Sequence, residues 1–239
     1  MCNIQNYSRL MIITLISDTH TKHREISNDL PGGNLLIHAG DLMNSGRNAE
    51  DITDFCDWFD SLEQYDYKIF IAGNHDRMFE NDPDRAMEIV NSYKNIDYLQ
   101  DDWVRITNKA IKLYGSPWQP EFYSWAFNLP KGGPGLMAKW EAIPKNTDIL
   151  ITHGPPQDHL DMSGPPYNEP HLGCALLREK VDEQPPKIHV FGHIHGGYGY
   201  KFHNGTHFFN ASILNERYDY VNKPVTFDWN PETNEVTFL

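Results

Sequence analysis

The sequence predicts an α/β fold, an α+β-like sandwich in which two mixed β-sheets pack face to face between flanking helices. Short apolar runs rich in branched residues alternate with helical patterns in the first part of the chain, which favours parallel strands. The later part is dense in short strands, which adds antiparallel pairing. Several apolar runs end abruptly in glycine, aspartate, asparagine or histidine, so a metal site is expected at the carboxyl ends of strands.

Each predicted strand is a short apolar stretch bounded by turn residues. The strands are expected at residues 11–16, 35–39, 67–72, 96–99, 103–106, 110–114, 148–152, 187–191, 198–203, 206–210, 225–229 and 235–238. Asn204-Gly205 joins two of them and is the strongest hairpin signal in the chain.

Apolar residues at helical spacing predict helices at residues 49–62, 83–93, 136–142 and 172–181. Asp82 is expected to cap the second of these, because proline follows it at the first helical position. Residues 1–9 are polar and aperiodic and are expected to form a loose arm. The chain shows no internal repeat and no linker-like shift in composition, so residues 1–239 are expected to form a single domain.

Composition limits the classes of partner. The 239 residues carry a formal net charge of -13, whereas proteins that bind long nucleic acids or membrane surfaces need an excess of lysine and arginine. Cys2, Cys56 and Cys174 match neither a disulfide framework nor a cysteine-type zinc motif. The apolar run at 10–16 lacks a basic region and a cleavage site. We expect a cytoplasmic protein without a membrane or long nucleic-acid partner, of unknown oligomeric state.

Polar clusters follow five of the predicted strands. They are Asp18/His20, Asp41, Asn74/His75, His153 and His193/His195. Because ligands gather beyond the carboxyl ends of strands in α/β sheets, these side chains are expected to share one pocket. Carboxylate and imidazole ligands together favour Mn, Fe, Zn or Co over Ca or Mg. The donors exceed what one tetrahedral ion takes, and a pair of ions needs a shared ligand, for which we favour the carboxylate of Asp41.

The motifs that carry these residues resemble those of the calcineurin-like metallophosphoesterases. They are Asp18-x-His20, Gly40-Asp41, Gly73-Asn74-His75-Asp76, Thr152-His153-Gly154 and Gly192-His193-x-His195, in the family's order. Residues 115–120, 152–156 and 189–199 look like those of the small metallophosphoesterase-domain-containing proteins, a group similar to class III cyclic-nucleotide phosphodiesterases. The resemblance runs from about residue 12 to about residue 229.

The resemblance implies a role for each motif residue. Asp18, His20, Asp41 and His195 would hold one divalent ion, and Asp41, Asn74, His153 and His193 would hold a second. A hydroxide bridging the two ions would attack phosphorus in line, and His75 would protonate the leaving oxygen. Asp76 is a candidate catalytic partner that would orient or charge His75. The expected substrate is a small phosphodiester or nucleotide, such as a cyclic nucleotide.

Other interpretations stay open on the sequence alone. The aspartates could cap turns, and His193 with His195 could be a surface cluster. The same site could serve a phosphomonoesterase or a nuclease, or it could bind a nucleotide in a regulatory or scaffold protein with slow turnover. The aromatic stretch 118–127 is expected to be core or lid, and in a phosphodiesterase it could stack a nucleobase.

The remaining histidines are expected to play lesser parts. His38 and His189 lie inside strands and are expected to be core or supporting residues. His203 and His207 flank the hairpin turn and are expected to be solvated. Three more could line the mouth of the pocket: His23, His159 and His171.

Overall fold

The computed structural model describes residues 10–106, 110–165 and 167–239. The strands are β1 (Met11–Ile16), β2 (Gly33–His38), β3 (Tyr65–Phe70), β4 (Asp97–Tyr98), β5 (Asp102–Ile106), β6 (Ile111–Ser116), β7 (Gln119–Pro120), β8 (Asn128–Leu129), β9 (Ile149–Thr152), β10 (Ile188–Phe191), β11 (Gly199–His203), β12 (Thr206–Asn210), β13 (Val225–Asn230) and β14 (Glu235–Phe238). The α-helices are α1 (Ala49–Asp60), α2 (Arg77–Asn81), α3 (Pro83–Val90), α4 (Pro134–Glu141) and α5 (Ala175–Glu183), and short 3-10 helices cover His23–Asp29 and His195–Gly197. The predicted arm at 1–9 lies outside the described residues.

Two mixed sheets form the centre of the fold, as the sequence predicts. In the described part of the chain, one sheet has the order β14-β13-β1-β2-β3-β4 and the other the order β11-β12-β10-β9-β6-β5. In the first sheet β1 to β4 are parallel, and β13 and β14 add antiparallel pairs. In the second sheet β12, β10, β9 and β6 are parallel, with β11 and β5 antiparallel at the two edges.

Burial on both faces explains why the central strands are continuous apolar runs. The inner faces meet in a core that includes the stacked rings of Phe209 and Phe227, whose centroids are 4.7 Å apart. Phe55 and Phe59 of α1 pack on the outer face of the first sheet. Trp140 of α4 and other residues of α4 and α5 cover the second. Among the described helices none has the length and apolar character needed to cross a bilayer.

The carboxyl ends of the parallel strands meet at one edge that spans both sheets. Within the first sheet, the Asp18 amide donates to the Gly40 carbonyl at 2.9 Å. Within the second, the Gly192 amide donates to the His153 carbonyl at 2.9 Å. The two sheets are joined here by His153, whose ring Nδ1 lies 3.0 Å from the carbonyl oxygen of Ala39. The turns after the strands therefore form one continuous surface.

Element boundaries depart from the prediction where side chains end or begin a helix. Asp82 caps α3 as expected, since its carboxylate accepts from the Arg85 amide. Helix α5 begins later than predicted because Cys174 is its N-cap and accepts from the Leu177 amide. The five-residue helix α2 was not predicted, because it is too short to show helical periodicity.

Candidate metal centre

Five strand ends deliver their polar side chains to one place. The turns after β1, β2, β3, β9 and β10 carry all eight candidate residues other than Asp76. Ligand atoms lie within 4.8 Å of one another in three groups: Asp18, His20 and His195; His20, Asp41 and His75; Asp41, His153 and His193. Asp41 and His20 each belong to two groups, so the groups form one connected site. The Asn74 Oδ1 atom joins it at 2.9 Å from the His153 Nε2 atom.

The backbone at four candidate ligands is in the left-handed region. The φ angles are 55° at Asp18, 42° at His20, 57° at Asp41 and 67° at His193. Non-glycine residues rarely adopt this region, and each such residue costs on the order of 1 kcal/mol or more. Main-chain hydrogen bonds hold the strained turns, such as the one from the His20 amide to the Asp41 carbonyl at 3.0 Å. Strain concentrated at polar residues in one pocket indicates a functional site.

The motif glycines are required by the close approach of the carboxylates. A Cβ atom at Gly73 would lie 2.3 Å from Asp41 Oδ1, and one at Gly192 would lie 2.1 Å from Asp18 Oδ2. Any side chain at these positions would displace the two aspartates from the site. This explains why a glycine precedes the candidate ligands at each of these strand ends.

Main-chain carbonyls fix the orientation of three imidazole rings. His20 Nδ1 lies 3.0 Å from the carbonyl oxygen of Met43. His153 Nδ1 lies 3.0 Å from that of Ala39, and His195 Nδ1 lies 2.9 Å from that of Asn215. A carbonyl only accepts hydrogen bonds, so each Nδ1 must carry the proton in the neutral ring. The Nε2 lone pair is then free for a metal ion, in the arrangement usual for histidine ligands.

These Nε2 atoms face the two aspartates. The His153 Nε2 and His20 Nε2 atoms lie 3.3 Å and 3.7 Å from Asp41 Oδ2, and the His195 Nε2 atom lies 3.5 Å from Asp18 Oδ1. The carboxylate of Asp41 therefore stands between imidazoles that come from different sheets. It is therefore within reach of donors from both sheets.

In the metal-free site, the pairing of aspartates with histidines determines which of these groups carry a proton. Burial would raise the pKa of Asp18, but the hydrogen bond and charge of His195 hold it well below its usual value. Burial of Asp41 is likewise outweighed by the charges of His153 and His75, which lower its pKa. Burial lowers the pKa of His153 and His195, yet Asp41 and Asp18 respectively raise both to about 9. Imidazolium protons thus supply the positive charge that a bound metal would bring.

Two further imidazoles are neutral and suited to bind a metal. Burial, opposed by Asp41, lowers the pKa of His20 to about 4, and its buried Nε2 atom has no hydrogen-bond partner. Burial and the charge of His153 lower the pKa of His193 to about 3. An unpartnered buried nitrogen facing a carboxylate costs free energy unless a cation fills the gap. The residues present therefore fit a divalent metal centre with nitrogen and oxygen ligands.

The structure places Asp76 away from the imidazole that it was expected to orient. Its buried carboxylate accepts hydrogen bonds from the amides of Gly73 at 2.7 Å, Met43 at 2.8 Å and Leu42 at 3.3 Å. Nδ1 of His75 faces the Asn44 carbonyl instead. Asp76 therefore does not orient the His75 ring through a direct hydrogen bond in the described structure, because its carboxylate binds main-chain amides and joins two of the turns that carry candidate ligands. Burial and the charge of Asp41 raise the pKa of Asp76 to about 8.

His75 lines a cavity of about 600 Å³ together with several of the candidate metal ligands. Its ring contacts the edge of His20 at a centroid distance of 4.6 Å and stacks on Trp125 at 3.9 Å. Exposed aromatic residues line the same cavity, among them Phe122, Tyr123 and Tyr167. The cavity thus leads from an aromatic mouth to the candidate metal ligands.

Sequence reasoning missed two contributors. The Ser212 hydroxyl donates to Asp18 Oδ2 at 2.7 Å. It follows β12, a sixth strand that ends at the same edge, so the rule that identified the other five could have found it. Tyr218 has a φ of 62° and its ring lies 4.7 Å from His20 and 5.4 Å from His195. It follows no apolar strand, and nothing in the sequence pattern indicates it.

The other histidines are mainly structural. His38 and His189 are buried and lie 2.9 Å from the hydroxyls of Thr19 and Thr152, which confirms the prediction that they support the core. His207 is buried against Tyr200, so its predicted solvation is wrong. Three histidines predicted as possible residues of the pocket mouth are absent from the lining of the described cavity: His23, His159 and His171.

A double-sheet framework with carboxylate and imidazole donors at its carboxyl edge is suited to hold metal ions that activate water for hydrolysis. Residues 11–197 match the calcineurin-like phosphoesterase family. The chain belongs to this family, and it is therefore a metallophosphoesterase, a hydrolase of phosphoester bonds whose family uses a divalent metal centre.

Relatives agree with this assignment, and a solved structure agrees with the fold. Metallophosphoesterase domain-containing protein 1 of Homo sapiens, and the protein of the same name in Mus musculus, are each 39% identical over 234 residues, which cover 89% of this chain and 69% of theirs. The crystal structure of TT1561 of Thermus thermophilus has a TM-score of 0.64 at 13% identity and covers 96% of this chain and 98% of its own. That likeness shows the fold alone.

Proposed function

We propose that the chain hydrolyses small phosphodiesters, cyclic nucleotides among them, with two divalent ions. The observation that carries the proposal is the position of Asp41, whose Oδ2 atom lies 3.3 Å from His153 Nε2 and 3.7 Å from His20 Nε2. A carboxylate has two oxygens and can be shared between two ions. The donor groups on its two sides support one ion on each side.

The residues divide into two sets around Asp41. Asp18, His20, Asp41 and His195 would hold one ion, and Asp41, Asn74, His153 and His193 the other. When bound, such a pair supplies Lewis-acid activation of water and of the phosphoryl group. The donor set contains nitrogen and oxygen but no sulfur, which favours Mn, Fe, Zn or Co over the alkaline-earth ions.

His75 is the candidate proton donor to the leaving oxygen. Its Nδ1 atom is hydrogen-bonded to the Asn44 carbonyl, so Nε2 is the ring nitrogen available to a substrate in the cavity. The main-chain amide of His75 donates to Asp41 Oδ1 at 2.7 Å and ties the histidine to the shared carboxylate. A ring nitrogen that faces the cavity can carry a proton and pass it to an oxygen there, as general acid catalysis requires.

The cavity supports a small substrate that carries an aromatic group. Its volume of about 600 Å³ suits a nucleotide, and the exposed rings of Phe122 and Tyr123 offer surfaces on which a base can stack. The described lining residues include Glu121, Glu169 and Glu216 beside Lys131. An acidic rim, on a chain of net charge -13, repels a long polyanion.

The test is a substrate panel on the purified chain with defined Mn, Fe, Zn or Co. We expect turnover of cyclic nucleotides above that of nucleoside monophosphates and oligonucleotides, with loss in Asp41→Ala and retention in Asp84→Asn, a control at an exposed position on α3. Faster turnover of nucleoside monophosphates would indicate a phosphomonoesterase instead, and faster turnover of oligonucleotides would indicate a nuclease. Nucleotide binding without hydrolysis under every metal would favour a regulatory or scaffold role.

A cytoplasmic setting is part of the proposal. Cys56 and Cys174, the cysteines that the structure describes, are free and buried. Thiols without disulfide partners are usual in reducing compartments. Fractionation of cells that express the full chain tests the location.

A further inference from the structure

The indole of Trp125 lies between an imidazole and a guanidinium. His75 stacks on it with a centroid distance of 3.9 Å and an interplanar angle of 23°. The Arg77 guanidinium carbon lies 4.3 Å from the indole centroid. The three side chains form a layered stack that begins over the candidate metal ligands and ends at α2.

The main chain fixes the register of this stack. The Ala126 amide donates to the Asn74 carbonyl at 3.1 Å, and the Arg77 Nη2 atom donates to the Ser124 carbonyl at 3.1 Å. These two bonds flank Trp125 on either side. They tie the aromatic loop to the same turn that carries Asn74 and His75, so the indole and the imidazole cannot shift independently.

The His75 ring needs such support. Its only hydrogen bond in the described structure joins Nδ1 to the Asn44 carbonyl. The terminal torsion of a histidine is broad, and one hydrogen bond leaves the ring free to tilt about it. Stacking on a large aromatic face restricts that freedom, because it favours one orientation of the ring plane.

We infer that Trp125 is a positioning residue for His75, which holds the plane of the imidazole so that Nε2 meets the leaving oxygen of the substrate. The inference rests on the proposed function, in which His75 is the proton donor. In that step the bond from phosphorus to the leaving oxygen breaks, and this oxygen keeps the electron pair and takes the proton from Nε2. Water supplies the hydroxyl that joins phosphorus and the proton that returns to His75.

Two substrates with different leaving groups separate positioning from folding. An alkyl phosphodiester needs proton donation, whereas a p-nitrophenyl phosphodiester releases a stable anion and needs little. We expect Trp125→Ala to lower kcat on the alkyl ester about 10- to 100-fold, a fraction of the roughly 100- to 10,000-fold that general acid catalysis supplies, with a change below about threefold on the p-nitrophenyl ester. Trp125→Phe keeps an aromatic face and should restore most of the loss.

Trp103→Ala is the matched control. Trp103 also lies against a cation, since Lys112 Nζ lies 4.5 Å from its ring, but it lies on β5, outside the loop that carries Trp125. This variant should leave both rates unchanged. Equal losses on both esters in Trp125→Ala would overturn the inference, because they would indicate general damage to the site.

His75→Ala distinguishes failure of the inference from failure of the proposed function. If the loss of kcat in His75→Ala is the same on both esters, His75 is not the proton donor and the proposed function is wrong on this point. If the loss of kcat depends on the leaving group in His75→Ala but not in Trp125→Ala, only the positioning role of Trp125 is wrong. In the metal-free protein, the ring protons of His75 should show an upfield NMR shift that Trp125→Ala abolishes and Trp125→Phe partly keeps. An unchanged shift in Trp125→Ala would contradict the stacking itself.

Discussion

Single imidazole rings in the site take their orientation from the main chain. His20, His153 and His195 each present Nδ1 to a carbonyl oxygen and Nε2 to a carboxylate. These carbonyls come from turns that no sequence pattern places beside the rings. The residue types and their strand-end positions could therefore be predicted, whereas the tautomers and the route of each proton required the structure.

Replacement of Asp41 should lower kcat more than replacement of Asn74. Asp41 belongs to two donor groups, whereas Asn74 joins the site through the 2.9 Å contact of its Oδ1 atom with His153 Nε2. Asp41→Ala should lower kcat by several hundredfold or more, and Asn74→Ala by about tenfold to a hundredfold. These values follow the losses usual when a group that stabilises charge, or one that supports a metal site, is removed. Steady-state rates and bound metal per chain measure both, with Asp84→Asn as control. Equal effects would contradict the shared position of Asp41.

Asp76 should contribute to stability, because its carboxylate accepts three main-chain amides. Asp76→Ala leaves these donors buried and unpaired, and the expected loss is about 3 kcal/mol in the free energy of unfolding. Asp76→Asn keeps one acceptor and should lose less. Urea denaturation of the metal-free protein measures the difference. Equal stability of Asp76→Ala and the unchanged protein would refute this role.

Metal affinity should rise with pH. Asp41 and Asp18 raise the pKa of His153 and His195 from 6.5 to about 9, and a metal requires the neutral rings. Binding therefore releases protons below pH 9, and affinity should increase by up to about tenfold per pH unit per proton and level off above it. In the metal-free protein the stability from these pairs is complete below pH 6.5 and is lost as pH rises through 9. Calorimetric titration that shows no proton release would contradict the pairing.

At the scale of elements, the buried strands were the most predictable part. The strand at residues 11–16 has the predicted bounds, because both faces are covered and its one polar residue, Thr14, is itself buried. The loop at 115–135 was not predictable in the same way. It contains the end of β6 and the short pair β7 and β8. The loop is also bound to a distant turn, since the Ala126 amide donates to the Asn74 carbonyl. Its aromatic content indicated a lid but not the stack of Trp125 on His75.

The aromatic mouth of the cavity should affect binding of substrates that carry a base. Phe122 is about half exposed, lies 5.9 Å from the His193 ring and lines the cavity. Phe122→Ala should raise KM for a cyclic nucleotide about fivefold to tenfold, since a base stacked on an aromatic residue gains about 1–3 kcal/mol. KM for an alkyl phosphodiester without a base should not change. Phe202→Ala, an exposed phenylalanine on β11, is the control. An equal rise for both substrates would argue against base stacking.

The whole molecule brings the two halves of the site together. Ligands of the first sheet come from β1, β2 and β3, and those of the second from β9 and β10, so neither sheet holds a complete site. The predicted sandwich and its strand-end site follow from the alternation of apolar runs and polar turns. That residues 1–239 form a single domain stays a prediction.

The central claim is that Asp41 joins two ions in one site. The most direct measurement is metal content by mass spectrometry, on protein reconstituted with Mn or Zn and assayed in parallel on a phosphodiester. We predict two ions per chain, activity that needs both, and loss of both ions in Asp41→Ala. One ion per chain at full activity, or two ions retained by Asp41→Ala, would contradict the account.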